Sequence, residues 1–276
     1  MSKYRHKKSY RTLKKKHPLR FLKSKIFWTL FLILIILGSL VYLFIFSDIF
    51  KIKNVNISGN NKCSYEEISK IVSSGLGNIF LYGSKNVDTK LEEKYPEIDN
   101  VNIKRSFPDS LTVEIEEREP VAIACKPSMR SEIKIFGEKT IIDCFNIDKK
   151  GIVFEESLEN PLGLPVIMFN NSGFIFLLGT EIIETEYLEK ILRIDSDFKE
   201  VQILETYPIS KNRINVKTKE GWVAYFDPKE DIDWQIEKLN ILLKEKLPLG
   251  ERKSLEYIDL RFEKVYIKRL ENPSEE

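Results

Sequence analysis

The sequence predicts an α+β protein: an N-terminal transmembrane helix, a βααββ domain, then a mainly antiparallel β-rich domain with flanking helices. Three observations carry this. Residues 26–46 form a 21-residue run without a charged side chain, and a helix rising about 1.5 Å per residue covers the roughly 30 Å bilayer core over that length. Residues 50–119 then read as strand, helix, helix and hairpin. Residues 120–270 read as short strands interrupted by two amphipathic helices.

The flanks of the apolar run set its expected orientation. Eleven Lys or Arg lie between Lys3 and Lys25, and no Asp or Glu precedes Asp48. By the positive-inside rule the basic tail, residues 1–25, stays in the cytoplasm and the chain after Ser47 is exported through the cytoplasmic membrane. A cleavable signal peptide fits less well, because its apolar region is about 7–15 residues long and ends in small residues; here Phe44-Ile45-Phe46-Ser47-Asp48 follows a longer run. A basic tail also suits a polyanion, but contact with anionic headgroups explains it more simply than nucleic acid.

The first exported domain opens on residues 51–57, where polar and apolar residues alternate as in a half-buried strand. Ser58-Gly59-Asn60-Asn61 marks a turn. Ser64 and Glu67 have capping-box spacing, and Ile68, Ile71 and Val72 give the following helix its stripe, with Gly75 and Gly77 ending it. A second helix is predicted at 87–94, capped by Asn86 or Asp88 and stopped before Pro96. A hairpin then joins 98–104 to 111–116, with Leu111, Val113 and Ile115 on one face and Thr112, Glu114 and Glu116 on the other.

Glu119-Pro120 marks the boundary to the second domain, 120–270. Strands are predicted at 121–124, 133–136, 140–145 and 152–154, and a Pro- and Gly-containing loop at 160–173. A helix at 185–198 buries Leu188, Ile191 and Leu192. Strands at 201–206, 213–217 and 222–226 follow. A helix at 231–246 presents Ile232, Ile236, Leu239 and Leu243, and Pro248 and Gly250 end it. Strands at 257–261 and 265–268 close the domain, leaving 271–276 as a frayed tail.

Composition argues against several enzyme classes. The net charge is +2, of which the first 25 residues carry +11, leaving −9 for the rest. Both histidines, His6 and His17, fall in the basic tail, so the exported chain lacks an imidazole for Ser-His or Cys-His chemistry or a His-ligated zinc. Cys63, Cys125 and Cys144 include no C-x-x-C; Cys125 and Cys144 lie in neighbouring predicted strands and either pair or stay reduced. Glu114, Glu116, Glu117 and Glu119 have the residue type for paired-acid or metal chemistry, but strand alternation on a solvated face accounts for them more simply. No catalytic residue, cofactor, metal site, nucleic acid or small-molecule substrate is expected.

The ordered motifs resemble the bacterial cell-division family FtsQ, also called DivIB. The membrane-proximal POTRA unit of that family is matched by Val55-Asn56-Ile57-Ser58-Gly59-Asn60 with Ser64-Tyr65-Glu66-Glu67-Ile68. Its most recognisable stretch is matched by Tyr95-Pro96-Glu97-Ile98, Lys104 to Leu111, and Glu117-Arg118-Glu119-Pro120-Val121-Ala122. Lys150-Gly151-Ile152-Val153-Phe154 resembles the start of its β domain, and Ile258-Asp259-Leu260-Arg261-Phe262 its terminal signature. The resemblance covers the chain in order, with 50–119 as POTRA domain and 120–270 as β domain; at 177–180 and 222–226 the chain departs from the family pattern.

That resemblance implies a non-catalytic divisome scaffold at the division septum that binds FtsB/FtsL-like coiled-coil membrane proteins. In the family a partner segment adds as a further strand to the end of the β domain, which here carries Arg261, Phe262, Lys264, Tyr266 and Lys268. A terminal strand at a sheet edge offers unpaired amides and carbonyls to such a segment, and aromatic and Arg side chains commonly anchor interfaces. A structural alternative has Phe262 and Tyr266 packing on the helix at 231–246 while Lys264 and Lys268 guard a bare edge. A second functional class, a POTRA-type chaperone or transport component that holds extended polypeptides, uses the same edge physics.

Overall fold

A computed structural model describes residues 24–127, 142–170 and 175–270. The predicted strand at 133–136, most of the basic tail and the tail at 271–276 lie outside the described residues. The observed class is α+β, as the sequence predicts. Helix α1 (Lys25–Phe46) carries no charged side chain after Lys25 and is long enough and apolar enough to cross a membrane. It is followed by a 3₁₀ turn (Asp48–Phe50), β1 (Asn54–Ser58), α2 (Tyr65–Ser73), α3 (Ser84–Lys94), β2 (Ile98–Ser106) and β3 (Ser110–Glu117). The three strands form a sheet ordered β1-β3-β2. This is the βααββ order read from the sequence.

The chain then runs through β4 (Ala122–Pro127), β5 (Ile142–Ile147), β6 (Val153–Glu156), β7 (Val166–Met168), α4 (Thr185–Asp197), β8 (Ile203–Ser210), β9 (Arg213–Thr218) and β10 (Val223–Phe226). It ends with α5 (Ile232–Glu245), α6 (Leu249–Arg252), β11 (Leu255–Asp259) and β12 (Tyr266–Arg269). These strands make one nine-stranded sheet in the order β12-β11-β10-β9-β8-β7-β4-β5-β6. The pairs β10–β11, β4–β7 and β7–β8 are parallel; the remaining pairs are antiparallel.

Contacts gather the chain into two compact units. One holds the described residues up to Asn54 with Leu76–Tyr82 and Arg105–Ser110; the other holds Val55–Gly75, Gly83–Lys104 and Leu111 onward. In the second unit α4 buries Leu188, Ile191 and Ile194, and α5 buries Ile236, Leu239 and Leu243. They join Ile214, Val216, Trp222, Ala224, Phe226 and Ile258 of the sheet region in one core. Each fully buried large side chain stabilises the fold by about 1.5–3 kcal/mol.

Also in that unit, Arg118 donates through Nε to the Pro96 carbonyl at 3.0 Å and through Nη1 to Asp99 at 2.9 Å and to Asp148. Lys150 donates to Asp99 as well. Cys125 and Cys144, directly opposed in the β4–β5 ladder, are joined as a disulfide. The sequence had left that pairing open.

Several local expectations change. Ser64 is the N-cap of α2 but forms no capping box. Its hydroxyl donates to Glu66 at 2.8 Å, and Glu67 instead accepts the Tyr95 hydroxyl at 2.5 Å. A charge-assisted bond to a distant phenol replaces the reciprocal local pair. Helix α3 begins at Ser84, a turn before the predicted start. Strand β1 begins later than expected, because the Ile52 and Lys53 amides donate to the Gly77 and Asp109 carbonyls. β7 lies inside the predicted loop, and α6 occupies the stretch read as a helix end.

Candidate protein-interaction edge

The five predicted partner-binding residues fall at one end of the large sheet. From β10 the chain passes through α5 and returns as β11, parallel to β10; β12 then folds back antiparallel on β11. The turn into α5 is fixed by Asp231, whose side chain accepts the Trp234 amide at 3.1 Å, an N-cap that satisfies one orphan donor. Gln235 is buried and exchanges hydrogen bonds with the backbone of Asp227. The crossover is thereby pinned at its entrance.

β12 is the last strand at its end of the sheet, and its four residues are all exposed. Its register sets Tyr266 opposite Asp259, Ile267 opposite Ile258 and Lys268 opposite Tyr257. Because directly opposed residues share a face, Tyr266 and Lys268 lie on the face away from the buried Ile258, and Ile267 on the core side. No further strand pairs with β12 among the described residues, so its outer row of amides and carbonyls is open to pairing.

The link between β11 and β12 is built by Asp259-Leu260-Arg261. Leu260 is buried and its amide donates to the Tyr225 carbonyl at 2.9 Å. Asp259 is buried and accepts three bonds from Arg261: from the amide at 3.1 Å, Nε at 2.9 Å and Nη2 at 2.7 Å. The Asp259 hydrogen bond, set against partial burial, raises the Arg261 guanidinium above its ordinary value, so it is charged at any working pH. The oriented guanidinium lies 5.4 Å from the Phe262 ring centre and 5.8 Å from that of Tyr225.

A row of rings and cations thus covers the outer face. Phe262 and Tyr266 meet edge to face at 5.6 Å. Tyr225 stacks on Tyr257 at 4.9 Å, and the Arg213 guanidinium covers Tyr225 at 4.0 Å. Lys268 pairs with Glu256 at 2.9 Å, and Lys264 is exposed in the β11–β12 link. Lys238 of α5 donates to the carbonyls of Phe262 and Glu263, at 3.0 and 3.3 Å, and partial burial lowers its pKa. The structure therefore brings Arg261, Phe262 and Tyr266 together and sets Lys264 and Lys268 beside them.

Sequence reasoning missed Arg213, Tyr225 and Tyr257 as members of this face. Their signal was alternation: Val223 and Tyr225 point away from the side of the buried Ala224 and Phe226, a period-two pattern inside a stretch read only as a strand. Of the glutamates weighed as paired acids, Glu114 and Glu117 have structural engagements. Glu114 pairs with Lys104 at 2.6 Å, and Glu117 accepts the amides of Lys62 and Cys63 at 2.8 and 3.1 Å.

The family "POTRA domain, FtsQ-type" matches residues 50–118. Cell division protein DivIB of Staphylococcus aureus (strain NCTC 8325 / PS 47) is 37% identical over 84 residues, which cover 29% of this chain and 18% of that protein. Cell division protein FtsQ of Syntrophotalea carbinolica is 36% identical over 78 residues, 28% of this chain and 27% of that protein. Cell division protein FtsQ of Streptomyces collinus is 23% identical over 137 residues, 49% of this chain and 47% of that protein. The matched segments thus span less than a third of the first two relatives. The resemblance to FtsQ and DivIB is borne out by these matches.

Proposed function

We propose that this chain, which carries an FtsQ-type POTRA domain, works in bacterial cell division as a membrane-anchored, non-catalytic scaffold. It bridges early and late division proteins and binds FtsB/FtsL-like coiled-coil membrane proteins by strand addition along β12. The carrying observation is the open outer edge of β12, a strand with all four residues exposed, beside the Arg261–Phe262–Tyr266 cluster. Main-chain pairing supplies affinity in such a contact, while side chains flanking the edge supply register and specificity. The basic tail lies in the cytoplasm and the two folded domains outside it, at the division septum.

The test is recovery of partners from native membranes with the intact chain and with a chain ending at Val265. That truncation removes β12 and keeps Val265, which packs on the core. Small single-pass coiled-coil proteins recovered with the intact chain and lost with the shorter one support the reading. Equal recovery with both overturns the placement of the contact. Recovery of many unrelated exported polypeptides would favour the chaperone reading instead.

A further inference from the structure

The end of α1 is built into the segment Leu76–Tyr82. Asn78, almost fully buried, donates through its Nδ2 to the carbonyls of Phe44 and Ile45, at 2.7 and 2.8 Å, and accepts the Phe80 amide at 2.9 Å. It thereby satisfies two of the carbonyls that a helix C-terminus leaves without intrahelical partners. The Ile79 amide donates to Phe50 and the Ile52 amide to Gly77, at 2.8 and 3.0 Å. Four rings continue the joint: Phe44–Phe50 at 5.2 Å, Phe44–Phe80 at 6.0 Å, Phe50–Phe80 at 5.2 Å and Phe80–Phe107 at 5.2 Å.

These contacts fix a depth. Phe44 lies two residues inside the end of the apolar helix, about 3 Å of rise, so a helix that spans the bilayer carries Phe44 at the boundary of the hydrocarbon. Rings packed on Phe44 sit at the same level. Around them Leu81 and Phe107 are 67% and 59% exposed, and Leu76 and Phe80 are exposed as well. Phe80 packs on both Phe44 of the span and Phe107; exposed apolar side chains of this kind mark an interaction site, and the ring contact with the span says what covers them.

We propose that Leu76, Phe80, Leu81 and Phe107 form a foot that sits in the outer-leaflet interface of the membrane α1 crosses. It buries apolar side chains among the upper acyl chains, as interfacial segments do to a depth of about 5–10 Å. The partner is the lipid bilayer itself. This inference rests on the anchor reading of α1. It adds to α1 a second membrane contact within the same unit.

The test uses the full chain in phosphatidylcholine vesicles whose acyl chains are brominated near the headgroup end, with indole quenching as readout. Trp28 of α1 serves as internal control for the anchor. Leu81→Trp and Phe107→Trp are each made in a Trp28→Phe background, with Leu158→Trp, in an exposed loop of the other unit, as reference. The emission of the Trp28→Phe chain, which keeps Trp222 and Trp234, is subtracted from every trace, so that each reading is that of the one indole of interest, Trp28 included. The account expects the Leu81→Trp and Phe107→Trp indoles to lose about twofold in emission relative to unbrominated vesicles, since interfacial burial of about 5–10 Å sets them beside the bromines, while Leu158→Trp is unaffected. Quenching of Trp28 without quenching at positions 81 and 107 overturns the foot and leaves the anchor standing. Unquenched Trp28 overturns both.

Discussion

Arg261 grips Asp259 as a fork, with Nε 2.9 Å from Oδ1 and Nη2 2.7 Å from Oδ2. Two planar groups in register hold the guanidinium against Phe262 and Tyr225, so the side chain is oriented before any partner arrives. Preorganisation of this kind lowers the ordering cost of binding. Arg261→Lys keeps the charge but cannot make both bonds. Its expected outcome is weaker partner recovery with little loss of stability. Arg261→Ala also leaves the buried Asp259 short of its donors and should cost about 1–3 kcal/mol in urea denaturation of the full chain.

Arg118 holds a stronger position. Its guanidinium is nearly buried between Asp99 and Asp148, whose side chains are 12% and 4% exposed. Removing one member of a buried ion cluster leaves uncompensated charge, so Arg118→Ala is expected to cost about 3–5 kcal/mol. Arg118→Lys should recover only part of this, because an ammonium cannot also reach the Pro96 carbonyl as Nε does. Thermal and urea denaturation of the two variants check the order.

Gly59 has φ 85°, and a Cβ there would lie 2.0 Å from the Ile115 carbonyl oxygen. Gly59→Ala therefore combines left-handed backbone strain with a backbone clash that no rotamer relieves. The expected loss is about 2 kcal/mol or more, read as a lower melting temperature, while substitution at Gly77, where a Cβ meets open space, should be near neutral.

Cys63 is buried, and burial together with the nearby Glu117 carboxylate pushes its thiol up from 9.0 to about 11. The folded chain holds that proton more tightly than the unfolded chain does. The associated stability is present below pH 9 and is lost as pH rises toward 11. Native Cys63 should be alkylated on the order of 100-fold more slowly at pH 8 than in denaturant, from its thiolate fraction alone. Equal rates in the two states would contradict the burial.

The Cys125–Cys144 disulfide closes a loop with a sequence separation of 19, worth about 3 kcal/mol in the chain-entropy account. A Cys125→Ser/Cys144→Ser chain is expected to lose that much. The redox state in growing cells also tests orientation, because such bonds persist outside the reducing cytoplasm. Free thiols at both positions in freshly trapped cells would contradict export of the β domain.

The elements legible in the sequence were those whose signal is local. The stripe of α5 and the Leu111–Val113–Ile115 alternation name their buried faces directly, and both are buried. β7 was not legible. It is three residues between Pro165 and Phe169, and its strand identity comes from parallel pairing to β4 and β8, remote in sequence. The capping box failed for a similar reason, since Tyr95 competes for Glu67 from 28 residues away. At the candidate edge, the Asp259-Leu260-Arg261 signature was readable, but the stacking of Tyr225 on Tyr257 depends on a parallel register that only the crossover through α5 creates.

The most direct test of the scaffold account is site-specific photo-crosslinking in dividing cells, with a photoreactive side chain placed in turn at Tyr266, Ile267, Lys268 and Arg269. Strand addition predicts adducts to small single-pass coiled-coil proteins from these four positions, with successive sites joined to successive residues of one partner segment. Adducts absent along β12 yet abundant from the opposite edge strand β6 would contradict it.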